Sequence, residues 1–489
     1  MDSTDQQQID VIQQPIRLPC GLELTNRLVK AAMAPCLAKA GQPTPEHHRL
    51  YHQWSQDRFG LLITENVQVC PRHLATPTDI AIRHGAEKDS IPTSWQAWAK
   101  VCGPRCLVQL SHAGLQSPRG CGRTLGDRPI GPSAMRVCLG NRLIDRLVAW
   151  ALFDHAREAS KDDINLIIEQ FRAGALFCHR AGFQGVQLHC SHGFLLSEFL
   201  SAKTNQRHDE YGMSATNRLR ILFQIIDAIR SSVPESFCLS IKLNCSDLSE
   251  GGLTQEEALD NLRRIVTRGG IDLIEISGGT YENCPTSKEE VTPQPKSEKK
   301  GVDRREAYYV EFTQEARRVL RTISTESRQP CPILMTTGGF RSRSGMAAAI
   351  SNEETDLIGL GRPACLDPLL STKILDSNLA NYVSPNPPVP GVTLWKILVP
   401  VKLVGAGFKT MWSVARLSEL KETDRRLLTS YHTARHTWQL HRMSRYQPPD
   451  LACTALGSLR VILPLDALLA SSAILLSLLA AGIVTRLMA

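Results

Sequence analysis

No CxxC pair occurs among the fifteen cysteines of this 489-residue chain, which are scattered from Cys20 to Cys453. That spacing fits a reducing compartment rather than a disulfide framework. The closest pair, Cys102 and Cys106, has no second pair to complete a zinc site, so the expectation is no bound metal. Only Cys365 and Cys453 follow Cys331, which argues against an iron–sulfur cluster. Met1 to Gln14 lacks a basic start and an apolar core, so there is no secretory signal and the protein is expected not to be secreted. The body of the chain also lacks a charge surplus. From Asn386 onward there are twelve Lys and Arg against five Asp and Glu, which accounts for seven of the net +8. The remainder is nearly neutral and gives no reason to expect nucleic acid.

What is present is a repeat. Short apolar runs at Leu28–Ala34, Leu61–Val67, Cys106–Leu110, Gly185–His189, Leu239–Leu243, Leu273–Ser277, Ile333–Thr337 and Leu357–Gly361 are continuous rather than alternating. That is the pattern of parallel strands covered on both faces. Helical patterns lie between them, at Asp163–Ala181, Ala215–Arg230, Thr254–Arg268 and Tyr308–Ser324, with Thr254 and Glu257 forming a capping box. Eight such strands alternating with helices predict an α/β fold, a (β/α)8 TIM barrel. A doubly wound sheet is the rival, but no GxGxxG follows the first strand.

Two connections exceed simple barrel loops, Ala113 to Lys161 and Thr280 to Glu306. Both follow strand C-termini, where barrel active sites lie, so they read as long βα-loop insertions that cover the site; the charged stretch 287–305 reads equally well as a surface loop. The chain divides into a polar extension over 1–15, a barrel over 16–380, a Pro-rich linker over 381–393, a basic helical extension over 394–460 and a hydrophobic segment over 461–486. Ala467–Val484 carries no charge and is bracketed by Arg460 and Arg486. At the lower edge of spanning length, it is expected to act as a tail anchor on the cytoplasmic face or as an amphipathic helix docked on a partner.

The strand ends carry the chemistry. The fourth ends in His189-Cys190-Ser191-His192-Gly193-Phe194. Two histidines three apart at a strand terminus can point into one pocket and donate paired hydrogen bonds to a carbonyl oxygen becoming enolate-like; polar loop packing is the alternative. The seventh ends in Gly338-Gly339, and the eighth runs into Gly361-Arg362. Glycines there let backbone N–H groups approach a phosphate that Arg362 can clamp, as at the phosphate site of many barrels. Gln109 offers a donor and an acceptor to the edge of an imide-like ring. Lys242 can place a cation beside a reduced, anionic ring, unless it is an ion-paired lysine.

Several blocks resemble one family. Asn26-Arg27-Leu28-Val29 with Met33, Gln109-Leu110-Ser111-His112-Ala113-Gly114, and Gly131-Pro132-Ser133-Ala134 are the first. The longest runs from Gly182-Phe183 through His189, His192-Gly193, Glu198-Phe199-Leu200-Ser201, Asn205, Arg207 and Asp209-Glu210-Tyr211-Gly212 to Asn217-Arg218. Lys242-Leu243-Asn244, Ile276–Tyr281 and Gly359–Pro363 agree. Together these resemble the Old Yellow Enzyme family of FMN-dependent oxidoreductases, in its fungal NADH:flavin oxidoreductase branch, over residues 15–375. The resemblance implies FMN as cofactor, NADH or NADPH as reductant, and hydride passed to the β-carbon of an α,β-unsaturated carbonyl compound, in fungal specialised metabolism. It implies that Ala32, Met33, Ala34 and Asn66 line the flavin, that Gln109 bonds its pyrimidine edge and that Lys242 lies near N1. Gly338, Gly339, Gly361 and Arg362 would hold the phosphate, and His189 and His192 the substrate oxygen.

Three positions depart from the pattern of the family. Ala34 replaces a thiol or hydroxyl that bonds the flavin, and Lys242 replaces an arginine, keeping charge but losing the planar fork. Phe194 stands in the substrate pocket where many members have a tyrosine that protonates the α-carbon, and it has no proton to give. Water or Tyr281 would then supply the proton. Otherwise the chain is a redox-neutral double-bond isomerase, or a flavin-binding scaffold without turnover.

Overall fold

The computed structural model describes residues 3–124, 126–280, 309–327 and 330–384. Eight parallel strands close into a barrel: β1 (Leu28–Lys30), β2 (Leu61–Gln68), β3 (Cys106–Ser111), β4 (Gly185–Cys190), β5 (Cys238–Asn244), β6 (Leu273–Ser277), β7 (Ile333–Thr337) and β8 (Leu357–Leu360). Each pairs with the next in chain order, and β8 returns to β1 through Ile358↔Leu28 and Leu360↔Lys30. The expected barrel is present, with strand limits within a few residues of the apolar runs.

Strand alternation sorts the apolar side chains into two cores. Leu28, Leu62, Val108, Val186, Ile241, Ile274, Leu334 and Ile358 face outward into the layer of helices. Val29, Ile63, Leu107, Cys238, Leu273, Met335 and Leu357 fill the base of the barrel interior. A hairpin of Ile16–Arg17 and Glu23–Leu24 plugs that base, burying Leu18 and Leu24 in the inner core. Crowding there explains one glycine. A Cβ on Gly185 would lie 2.3 Å from the Cys238 carbonyl oxygen and 2.7 Å from Leu107.

Capping sets the helix starts. Thr254 accepts from the Glu257 backbone N–H and completes the capping box foreseen for Gln255–Arg268. Ser160 does the same for Lys161–Ala181, whose end is turned by Gly182 at φ +99°. Residues Ser3–Gln13, within the stretch read as a polar extension, form a helix that buries Ile9 and Ile12 against the helix Arg343–Ser351.

The insertion after β3 is a folded excursion. Ile130–Gly131 pairs with Arg157–Glu158, the helix Leu143–Leu152 crosses it, and Leu115, Val137, Leu139, Ala149, Phe153 and Ala156 form its own core. Buried Arg207 pins it to the barrel, donating to the carbonyls of Pro132 (3.0 Å) and Ala159 (2.7 Å) while paired with Asp209 at 2.5 Å. Of the second insertion only Thr280 is described, so Tyr281 and the stretch 287–305 lie outside the described residues. So do the extension 394–460 and the segment 461–486. The first residues of the linker stay on the barrel, with Val383 bridged to Ser342. No helix among the described residues is long and apolar enough to cross a membrane.

One buried ion pair holds the N-terminal helix. Asp5 meets Arg343 at 2.9 Å, and Arg343, with no exposed side-chain surface, also donates to the carbonyls of Ile374 and Asp376. Removing one partner strands a buried charge, at a cost of about 3–5 kcal/mol. Asp5→Ala is therefore expected to lower the melting temperature clearly, whereas the exposed-pair variant Glu23→Ala leaves it unchanged; equal melting of both variants would refute the assignment.

Candidate active site

The same alternation that fills the barrel base places polar groups above it. Inward positions on β3 to β6 form a middle layer of Gln109, Gln187, Ser240 and Glu275, with Gln109↔Gln187 and Gln187↔Ser240 in register. Gln109 donates through Nε2 to Gln187 Oε1 (2.8 Å), and Gln187 donates to Glu275 Oε2 (2.9 Å) and to Ser240 Oγ (3.2 Å). Glu275 then pairs with Lys242 Nζ at 2.8 Å, both side chains buried. Gln109 Nε2 and Lys242 Nζ are both engaged within this layer, and among the described residues Gln109 Oε1 takes no hydrogen bond. The ion-paired alternative for Lys242 holds, and its partner is the residue in register with it on the neighbouring strand.

The next layer holds the histidines. His189 ends β4 beside Lys242, its register partner, and His192 follows with φ +62°, a strained left-handed conformation for a non-glycine residue. That turn is held from outside: Asn244 Oδ1 accepts from the His192 backbone N–H (3.0 Å) and Gln116 Nε2 donates to its carbonyl (2.7 Å). The two rings stand edge to face at 5.3 Å. Ser191 Oγ lies between them, 3.2 Å from His189 Nδ1 and 3.4 Å from His192 Nδ1. His189 Nε2 is left for a ligand, whereas His192 Nε2 is 2.9 Å from Ser277 Oγ at the end of β6. Phe194 lies against His189 with centroids 4.5 Å apart and packs with Ala75 and Ala113 into an apolar wall.

Opposite this wall, Ala32, Met33 and Ala34 are half-buried on the segment leaving β1, and Asn66 stands in register with Gln109 after a bulge in β2. Gly339 has φ +83°, available to glycine without strain, and Gly338 has φ +148°. A Cβ on Gly361 would sit 3.2 Å from Met33 Sδ, so Met33 and the glycines after β8 meet. Arg362 opens the helix that follows. Thr337 Oγ1 is buried there without a hydrogen-bond partner. The structure thus sets Asn66 in register with Gln109, His189 in register with Lys242 and against His192 and Phe194, and Met33 against Gly361. Sequence reading missed Gln187, Glu275, Ser277 and Asn244. Their signal was polar residues at alternate positions of otherwise apolar strands.

Burial holds the nearby imidazoles neutral. It pushes His189 well below its ordinary value, with His192 and the Lys242 ammonium adding to the effect, and pushes His192 down to about 3. Behind Phe194, His112 stacks on His73 at 4.6 Å; burial drives His112 down to about 3 and His73 lower still. Cys70, His73 and His112 offer ligand atoms within 4.8 Å of one another. His112 Nδ1, however, accepts from the Gly114 N–H (3.1 Å), so its other nitrogen carries the proton and has no lone pair for an ion.

His73, His112 and His189 bind protons only in the unfolded chain once pH falls below about 6.5. The unfolded state then carries more protons, so their stabilisation is complete above that pH and is lost below it, by up to about 1.4 kcal/mol per pH unit for each. The melting temperature is expected to fall steadily from pH 7 to pH 5, and His73→Gln to flatten the fall. A profile level down to pH 5 would contradict the assignment.

The comparisons with known proteins agree with this geometry. Residues 12–381 match the model of the NADH:flavin oxidoreductase / NADH oxidase family. The chain is 38% identical over 369 residues to an NADH-dependent flavin oxidoreductase of Hypocrea jecorina, covering 74% of this chain and 88% of that one. It is 36% identical over 427 residues to another from Talaromyces variabilis, covering 84% and 98%. Among solved structures, the Old Yellow Enzyme homologue from Zymomonas mobilis superposes with a TM-score of 0.59 at 22% identity, over 76% of this chain and 94% of that one. A 2-naphthoyl-CoA reductase is a longer protein, of which this chain spans 52%, with a TM-score of 0.61 at 20% identity. An eight-stranded barrel with this constellation at its mouth, matched over three-quarters of its length, makes the chain an enzyme of the FMN-dependent NADH:flavin oxidoreductase / NADH oxidase family.

Proposed function

We propose that this enzyme passes hydride from NAD(P)H, by way of its flavin, to the β-carbon of an α,β-unsaturated carbonyl compound held at His189 and His192. The observation that carries the reading is His189 Nε2, open to a ligand beside His192 and above Lys242. The NADH-dependent names of the fungal relatives favour NADH.

The residues present fit FMN. Gly338, Gly339, Gly361 and Arg362 form a cradle for its phosphate, beside the unsatisfied Thr337 hydroxyl. Ala32, Met33, Ala34 and Asn66 would line the ring, and Gln109 Oε1 and Lys242 would meet its polar edge. Bound there, the flavin supplies two-electron hydride chemistry. The protein's part is orientation and charge. Neutral imidazoles can donate N–H to a carbonyl oxygen as negative charge gathers on it, and fixed dipoles in a dry pocket stabilise that charge without reorganising. Glu275 partly offsets the charge of Lys242, so a ring edge bound there would meet a paired rather than a bare cation.

Phe194 favours a second reading. Its ring covers the side of the pocket toward His189 with carbon only, so a proton for the α-carbon has to come from water or from Tyr281. Without that proton the saturated product cannot form, and hydride given back from the same β-carbon after rotation about the Cα–Cβ bond would leave a geometrically isomerised double bond with no net loss of NADH.

Purified protein is expected to be yellow and to release FMN on denaturation. With a simple enone, NADH loss equal to product formed supports reduction, and isomerised product without NADH loss supports the second reading. Failure of NADH to bleach the flavin anaerobically would leave only a flavin-binding scaffold. Since a general acid contributes roughly 10²–10⁴-fold, Phe194→Tyr is expected to raise the reduction rate at least about tenfold.

For the tail, we propose membrane contact through 461–486, on the strength of its eighteen uncharged residues between Arg460 and Arg486. Truncation after Gly457 is expected to move the protein from membrane to soluble fractions with flavin retained; wholly soluble full-length protein would refute it.

A further inference from the structure

We propose that Cys20 and Cys238, at the base of the barrel remote from the site described above, form a reversible dithiol that hydrogen peroxide closes to a disulfide. Cys20 lies in the turn of the plugging hairpin, a turn set by hydrogen bonds from Gly21 N to Leu18 O (2.8 Å) and from Leu18 N to Leu22 O (2.9 Å). Cys238 is the first residue of β5 and points into the inner core. Their sulfurs and an Asp272 oxygen lie within 4.8 Å of one another. Gly185 makes room for the approach, since a Cβ there would come within 2.6 Å of Cys238 Cβ.

The two sulfurs differ in access. Cys20 is half-buried and lines a surface cavity of about 510 Å3 with Arg17, Cys331 and Ile333, whereas Cys238 is fully buried. An oxidant reaches Cys20 first, and Cys238 meets only what Cys20 has become. That is the order of a reacting and a resolving thiol. The neighbouring Cys238 thiol pulls the Cys20 thiol below its ordinary value, with a smaller contribution from Arg230, which raises its thiolate fraction. Asp272 is not free to hold a metal between the sulfurs. Its Oδ2 accepts from Arg230 Nη2 at 2.6 Å and from the Leu239 N–H at 2.8 Å.

The chemistry balances in two steps. The Cys20 thiolate attacks one peroxide oxygen, the O–O bond breaks, and hydroxide leaves with the thiol proton as water, giving a sulfenic acid. The Cys238 sulfur then attacks the sulfenic sulfur, the S–O bond breaks, and a second water leaves. Two thiols are oxidised by two electrons and one peroxide is reduced to two waters. The bond ties the hairpin to the base of the barrel at the start of β5, closing a loop that spans β1 to β4, and so restricts the unfolded chain.

The test treats full-length, FMN-loaded protein with a few equivalents of hydrogen peroxide, blocks remaining thiols and maps the tryptic peptides. The expected product joins the peptide containing Cys20 to that containing Cys238, is lighter by two hydrogens than the pair, and is lost on adding dithiothreitol. Oxidised protein should melt a few degrees higher than the same protein after reduction with dithiothreitol. In Cys238→Ser, Cys20 should be trapped as a sulfenic acid that dimedone labels, and in Cys331→Ser the cross-link should form unchanged. Linkage of Cys20 to Cys331, conversion of Cys20 to sulfinic acid with Cys238 still a thiol, or oxidation of exposed Cys138 with Cys20 untouched would each overturn the proposal. Mapping of the unaltered protein decides the matter even if a variant fails to fold.

Discussion

Closing eight parallel strands into a barrel leaves every strand with one face toward the helices and one toward a narrow interior, and the rest of this molecule follows from how that interior is filled. Apolar side chains pack its base, where the hairpin of 16–24 shuts out water. Two residues further along β3 to β6 the inward position becomes polar, and one step more brings it to the mouth. Backbone hydrogen bonds around the closed sheet fix these heights, so Gln109, Gln187 and Ser240 fall into one layer without any loop having to place them.

The polar layer is costly to bury, and it is stable because its members satisfy one another. Gln187 joins Gln109 to Glu275, and Glu275 meets Lys242. A buried ion pair contributes little net stability by itself, since desolvation consumes most of the attraction. Its consequence here is position: the ammonium is held beside His189, the register partner of Lys242 on β4. The same pair tempers the field at the mouth. Where an arginine would present a planar fork, this chain presents a point charge already half-neutralised from below.

The motifs of the sequence interlock in space. The segment after β3 and the helix after β4 are joined where Leu115 N donates to Glu198 Oε1 at 2.8 Å, and a Cβ on Gly114 would collide with that carboxyl group. Arg207 and Asp209, far along the chain from Pro132, clamp the insertion that carries it. Such residues touch no reacting atom. They hold the loops against the barrel so that the pocket wall formed by Ala75, Ala113 and Phe194 stays where it is.

Much was legible in the sequence alone. The spacing of apolar runs determined eight strands and the helices between them, because a strand covered on both faces has to be apolar throughout. Capping residues such as Thr254 marked helix starts, and the glycines after β7 marked a turn at positive φ, since both rest on local backbone chemistry. The HxxH block placed both histidines at one strand end. The resemblance to the family also implied what is missing, a proton donor at position 194. Only the tertiary structure decided the partners. Glu275 lies more than thirty residues from Lys242 and Ser277 more than eighty from His192, and nothing local to either links them. That His192 Nε2 is engaged while His189 Nε2 is open, and that Cys20 meets Cys238 beneath the barrel, likewise depends on closure. The physical reason is the same throughout: periodicity and caps act within a few residues, whereas hydrogen bonds, ion pairs and burial form between whichever groups the closed sheet brings to the same height.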